Sequence, residues 1–229
     1  MNIAVIPARG GSKRIPRKNI KLFHGQPVIA YAIKAAQESE VFDEVIVSTD
    51  DDEIAEVARI YGAKIPWMRA KSLSDDHTTT ISVMQDAVEK LKSSVSNLEN
   101  ICCIYPVTPL LQPRFLVEGL KILEDSEWNY VFSGLRASAP PQRFFSLGDS
   151  EGVEMLFPEF EETRTQDLRR YFSDAGQFYW GKKSTWESGH PIFSSESTIL
   201  EIPTGLAVDI DTLEDWHQAE RLFELKEEI

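Results

Sequence analysis

Short runs rich in Val and Ile recur along this chain, with gaps between them long enough to hold a helix. Residues 3–6, 44–48, 101–105 and 130–133 are apolar almost throughout, the pattern of strands covered on both faces. The segments between them change period. Val28 to Ile33 place apolar positions at helical spacing, with Pro27 read as part of a first helical turn, and residues 51–61 and 82–91 show the same period. Strand and helix in alternation predict βαβ crossovers, hence an α/β fold: a three-layer, mostly parallel twisted sheet with ligands held beyond the carboxyl ends of its strands. Further strands are predicted at 177–180 and 199–202. Residues 212–228 read as a last helix with Leu213, Trp216, Ala219, Leu222 and Phe223 along one side.

The rhythm breaks between about residues 136 and 165. Ala139-Pro140-Pro141, the aromatics Phe144, Phe145 and Phe157, and the acids Glu159, Glu161 and Glu162 predict an arm inserted into one domain spanning 1–229. Such aromatics either bury themselves against a second subunit or fold back onto the parent domain. Trp128, Trp180 and Trp216 lie in periodic apolar contexts and read as core.

Composition narrows the classes. At 229 residues, 42% hydrophobic and 27% charged, the chain suits one large globular domain rather than a disordered or fibrous protein. No apolar stretch approaches the roughly 20 residues that span a bilayer, and Met1 to Pro7 run straight into a strand, so the expectation is a cytoplasmic protein without a membrane partner. Cys102 and Cys103 are adjacent in a strand, point to opposite faces, and read as small buried hydrophobes rather than a disulfide or metal pair. The net charge of −13 disfavours nucleic acid, but it is unevenly spread. Residues 1–37 hold seven Lys or Arg and no acid. A basic head on an acidic body reads either as an anion site or as a solvated loop balancing nearby acids.

The loop after the first strand, Pro7-Ala8-Arg9-Gly10-Gly11-Ser12-Lys13-Arg14-Ile15-Pro16-Arg17-Lys18-Asn19, favours the anion. Gly10 and Gly11 let backbone N–H groups approach phosphate, and Arg9 and Lys13 add charged donors. It is neither a Walker A loop nor a GxGxxG dinucleotide fingerprint. Near the other end, Asp209 and Asp211 lie one residue apart, so in extended backbone their carboxylates share a side and can reach one hard cation; equally, Asp211 stands where it could cap the last helix. His24 and His77 are conceivable general bases by their usual titration range.

This loop resembles the signature of the CMP-sialic acid synthetase family, cytidylyltransferases that activate nine-carbon 2-keto sugar acids. Ser48-Thr49-Asp50-Asp51, Arg69 followed by Thr78-Thr79-Thr80, and Val208-Asp209-Ile210-Asp211 resemble it in the same order along nearly the whole chain. The resemblance implies a Rossmann-like, GT-A-like nucleotidyltransferase fold and a homodimer built partly through the arm. It implies a nucleotide site at Ala8, Arg9, Gly10, Gly11, Ser12, Lys13, Asn19, Arg69 and Thr80, with Arg9, Lys13 and Asp211 catalytic. Mg²⁺ would be held by Asp209 and Asp211, and the substrates would be CTP and a nonulosonic acid.

The sequence departs from the sialic acid branch where a Leu-Gln-Pro-Thr-Ser-Pro-Leu-Arg run is usual: it has Ile104-Tyr105-Pro106-Val107-Thr108-Pro109-Leu110-Leu111, losing both Gln and Arg. Arg164-Thr165-Gln166-Asp167-Leu168 and Asp174-Ala175-Gly176-Gln177-Phe178-Tyr179-Trp180-Gly181 resemble the branch that activates pseudaminic acid rather than N-acetylneuraminic or legionaminic acid. That resemblance places the sugar against Tyr105, Thr108, Gln177 and Tyr179.

Overall fold

A computed structural model describes residues 1–226, and the last residues of the 212–228 helix reading lie outside them. The strands are β1 (Asn2–Pro7), β2 (Leu22–Phe23), β3 (Gln26–Pro27), β4 (Glu44–Ser48), β5 (Asn100–Ile104), β6 (Tyr130–Arg136), β7 (Phe145–Leu147), β8 (Val153–Met155), β9 (Phe172–Lys182) and β10 (Ser197–Glu201). The helices are α1 (Ile29–Glu38), α2 (Asp52–Ile60), α3 (Thr80–Lys92), α4 (Pro113–Glu124), α5 (Lys183–Ser188) and α6 (Leu213–Lys226).

Six strands form the central sheet in the order β10-β6-β9-β5-β1-β4. Parallel pairing joins β1 to β4 and β5, and β10 to β6, whereas β9 runs antiparallel between β5 and β6. The sheet is thus mostly parallel, as the near-continuous apolar strands predict. Alternation along the strands divides the core: Ala4, Ile6 and Cys102 pack with α1 and α4 on one face, while Ile3, Val5 and Cys103 pack with α3 on the other. Both cysteines are free and fully buried, and burial raises their pKa.

Several elements differ from the sequence reading. Pro27 belongs to β3, paired with Leu22, and the helix begins at Ile29 after Val28 takes the N-cap; the turn of the β2–β3 pair claims the proline first. Trp128 is exposed, unlike the buried Trp180 and Trp216. The arm departs after β6 and returns at β9, carrying the β7–β8 hairpin. Arg143 braces it by donating to the carbonyls of Phe160, Glu161 and Thr163. Phe144, Phe145, Leu147, Val153 and Leu156 remain exposed on it, so these side chains do not fold back onto the domain.

A third apolar cluster joins Ile15, Phe23 and Val28 to Ile210, Trp216 and Ala219. It fastens the basic loop to α6 and to the segment that carries Asp209 and Asp211.

Candidate active site

The parallel strands β1, β4 and β5 end on the same side, and the basic loop leaves β1 there. Ala8 N–H donates to Ser48 O at 2.9 Å, carrying the pairing with β4 one residue past the strand. Gly10 then passes close beneath Asp51: an added Cβ would lie 2.6 Å from its carboxylate oxygen, which explains a glycine here. Gly10 N–H donates to Asp50 at 3.0 Å, so this amide is committed inside the protein rather than presented to phosphate. Asn19 folds the loop back through its amide, which donates to Arg9 O at 2.9 Å.

Asp76 and Asp211 face four of the five cations of this loop. Asp76 receives Arg9 at 2.7 Å and also Lys13, and Arg9 donates to Asp75 O at 2.8 Å. Asp211 receives Arg14 at 2.9 Å and Lys18 at 3.4 Å, while Lys18 also donates to Ile210 O. These carboxylates are partly exposed, so solvent screens each pair and a more highly charged anion competes well for the same cations. Arg17, with φ at 55°, instead bridges Asp51 and Glu53, and its hydrogen bond to Asp51 holds that carboxyl down to about 2.

The loop, the segment around Asp75 and Asp76, and the Asp209–Asp211 segment enclose a cavity of about 440 Å³, within the usual range for a small-molecule site. Arg9, Ser12, Lys13, Asn19, Arg69, Thr80, Tyr105, Asp209 and Asp211 line it. Arg69 is 5% exposed and donates to Ser74 at 3.1 Å; burial lowers its pKa, partly countered by Asp50. A smaller cavity of about 330 Å³ adjoins, sharing Thr80 and Tyr105, whose hydroxyls lie 2.8 Å apart. Asp174, Tyr179, Ile192 and Phe193 complete much of its wall.

Other expected site residues lie outside both linings. Ala8 is wholly buried, Thr108 donates its hydroxyl to Tyr105 O at 2.9 Å, and Gln177 is 1% exposed with its amide donating to Leu206 O at 2.7 Å. Gly11 is exposed on the loop. His24 packs against Phe23 and Phe223, and His77 sits in the exposed turn that Asp75 organises. Sequence reasoning overlooked Asp76 and the pairing of Arg14 and Lys18 with Asp211. The surplus of base in residues 1–37 was the available signal for such partners.

Ile210 is buried, which anchors the segment between the two aspartates. The helix-cap role falls elsewhere: Thr212 accepts from Asp215 N–H, and Asp215 accepts from the N–H groups of Thr212 and Asp211. Asp211 is therefore free of capping and turned toward the loop cations. Burial first, and the Asp211 charge second, raise the pKa of Asp209. The described residues hold no group of three or more metal-ligating side chains. Two carboxylates nevertheless suit Mg²⁺, which commonly takes one or two from protein and the rest of its shell from water and substrate phosphates.

A mostly parallel sheet thus presents a basic loop and an acidic pair across one cleft, an arrangement suited to nucleotidyl transfer. The chain belongs to the cytidylyltransferase family, whose pattern it matches over residues 3–225. It is 40% identical over 227 residues to the pseudaminic acid cytidylyltransferase of Campylobacter jejuni subsp. jejuni, covering 99% of this chain and 98% of that protein. It is 34% identical to the CMP-N,N'-diacetyllegionaminic acid synthase of Legionella pneumophila subsp. pneumophila, covering 99% and 97%. Among solved structures, CMP:2-keto-3-deoxy-manno-octonic acid synthetase complexed with CTP superposes with a TM-score of 0.72 at 18% identity, over 98% of this chain and 99% of that one. That last likeness is one of fold. No helix among the described residues is long and apolar enough to cross a membrane.

Proposed function

We propose that the protein is a cytoplasmic enzyme that transfers CMP from CTP to the anomeric 2-hydroxyl of pseudaminic acid. The sugar oxygen attacks the α-phosphorus, the bond to the β-phosphate oxygen breaks, pyrophosphate leaves, and the hydroxyl proton passes to solvent or a nearby base. The observation that carries the reading is the pairing of Arg9 and Lys13 with one exposed carboxylate, Asp76, at the mouth of the cavity. A triphosphate offers those cations more charge and more acceptor oxygens than Asp76 can. The identity to the Campylobacter jejuni protein supports the choice of sugar.

In this reading Arg9, Ser12 and Lys13 bind the triphosphate, while Asn19, Arg69 and Thr80 with the backbone at Ala8, Gly10 and Gly11 shape the cytidine side. The smaller cavity, joined at Thr80 and Tyr105, receives the sugar acid beside Tyr179, with Thr108 and Gln177 supporting its wall from behind. Asp209 and Asp211 would hold Mg²⁺. When bound, the ion supplies neutralisation of phosphate charge and a fixed orientation for the departing pyrophosphate. The protein's own contribution is alignment of hydroxyl and phosphorus and stabilisation of leaving-group charge by Lys13 and Arg9. The exposed apolar arm is the surface on which a second copy of the chain packs to form a homodimer.

Pyrophosphate release with pseudaminic, legionaminic and N-acetylneuraminic acids, and with CTP, UTP and ATP, tests the reading. Release with CTP and pseudaminic acid is expected. Preference for another sugar acid overturns the choice of acceptor, and CTP binding with no release from any of them points to a nucleotide-binding regulator instead. Lys13→Ala is expected to lower kcat/KM about 10²–10³-fold, the scale for losing a transition-state donor, with the melting temperature unchanged.

A further inference from the structure

β9 does not run straight past the site. Its register against β6 pairs Phe132 with Tyr179 and Gly134 with Asp174, so one residue, Ser133, faces the four residues 175–178. The surplus backbone forms a bulge, which Ser133 Oγ supports by accepting from Gln177 N–H at 3.2 Å and Phe178 N–H at 3.3 Å. Bulges of this kind re-aim side chains beside functional sites. Gly176 turns within it at a φ of 61° and lines the larger cavity; an added Cβ there would lie 3.6 Å from the carboxyl carbon of Asp209. Tyr179 closes the other end and lines the smaller cavity.

One side chain spans the bulge. Asp174 Oδ1 accepts from Gly176 N–H at 3.0 Å, and Asp174 Oδ2 accepts from the Tyr179 hydroxyl. Burial, with Tyr105 and Asp174 as neighbours, pushes the Tyr179 hydroxyl well above its ordinary pKa, so it keeps its proton throughout the working range. A phenol has one proton to donate. With that proton given to Asp174, the Tyr179 oxygen has only lone pairs left, shared between the neighbouring Tyr105 hydroxyl and the smaller cavity.

We propose that Asp174 is a positioning residue for the acceptor sugar: it clasps the β9 bulge and fixes the Tyr179 oxygen as a hydrogen-bond acceptor for a donor group on the sugar. An amide N–H of an acylamino substituent has the right chemistry, and its methyl finds apolar wall at Ile81, Ile192 and Phe193. The same clasp holds Gly176 against the Asp209 side of the larger cavity, so both compartments share one strand-borne support. This inference rests on the assignment of the smaller cavity to the sugar acid.

The test varies each substrate in turn for the wild type, Asp174→Asn, Tyr179→Phe and the double variant, reading pyrophosphate release and melting temperature. Asn has one acceptor oxygen where the clasp uses two, so it satisfies only one of the two donors. Each single substitution is expected to raise KM for the sugar acid about tenfold, the scale of one lost hydrogen bond in a site, with KM for CTP within about twofold. The double variant is expected to be no worse than either single one, because Asp174 acts through Tyr179. A KM for CTP that rises in step with that for the sugar, multiplying effects in the double variant, or an unchanged sugar KM in both single variants would overturn the inference. Should Asp174→Asn not fold, Tyr179→Phe, which deletes a single hydroxyl, reads the same hydrogen bond. Wild-type protein that releases no pyrophosphate with any sugar acid overturns the functional reading and this inference together, an outcome distinct from normal turnover with an unchanged sugar KM.

Discussion

Asp209 illustrates how a site can be held ready at the expense of stability. Its carboxyl pKa is raised by the protein around it and by Asp211, with Lys18 only partly compensating. The folded state therefore binds the proton more tightly than the unfolded chain, and the stabilising share of that binding is lost as pH rises through the raised value. Asp209→Asn removes the repulsion. The variant is expected to melt at a higher temperature than the wild type at pH 7, with the difference shrinking as pH falls through the raised value toward the ordinary carboxylate range, in thermal scans without divalent cations. Mg²⁺ is expected to raise the melting temperature of the wild type and not of the variant; a variant less stable than the wild type at neutral pH would contradict this account. At this scale the basic loop was readable because a glycine pair and a run of cations leave a strong local pattern. Asp76 was not, because its role arises only when a segment more than sixty residues away in sequence is folded against Lys13.

At the scale of elements, α4 shows packing prevailing over propensity. Gly119 lies in the helix, where Ala would ordinarily stabilise by about 1 kcal/mol. An added Cβ would lie 2.9 Å from ring atoms of both Phe178 and Trp180. Both rings are fully buried, and Trp180 is further tied by its indole N–H, which donates to Leu116 O at 3.0 Å. Overpacking of this kind costs about 1–3 kcal/mol, so Gly119→Ala is expected to lower the melting temperature by a few degrees despite its better helix propensity. An increase would show that α4 shifts away from the sheet freely. The same helix was not read from the sequence, although Pro113 at its start and the spacing of Phe115, Leu116, Leu120 and Leu123 signal it; the exposed Val117 blurs the edge of its apolar stripe. The parallel strands were legible from their apolar runs. The reversed direction of β9 was not, since an antiparallel strand buried between two others carries the same composition as its neighbours.

Across the whole molecule, the separation of charge and the arm have different fates. Arg9, Lys13, Arg14 and Lys18 of the basic head line the cleft opposite Asp76 and Asp211 of the acidic body, so the net charge of −13 coexists with a locally basic cleft. The arm leaves five large apolar side chains exposed on and beside one hairpin, a surface suited to a second copy of the chain. Sedimentation equilibrium at micromolar concentration is expected to give a dimer, and Phe145→Asp to shift it toward monomer. A wild-type monomer would remove the arm from the assembly. Its aromatic content made the arm visible in the sequence as a break in rhythm, but whether those rings fold inward depends on the hairpin geometry, which local pattern does not encode.

Attack of a sugar hydroxyl on the α-phosphorus of CTP is followed directly, at that atom, by phosphorus NMR of the complete reaction. With CTP, Mg²⁺ and pseudaminic acid, the three triphosphate resonances should give way to one phosphodiester signal and pyrophosphate in equal amounts. Appearance of CDP with transfer of the terminal phosphate, or a triphosphate spectrum that stays unchanged while CTP is bound, would contradict it.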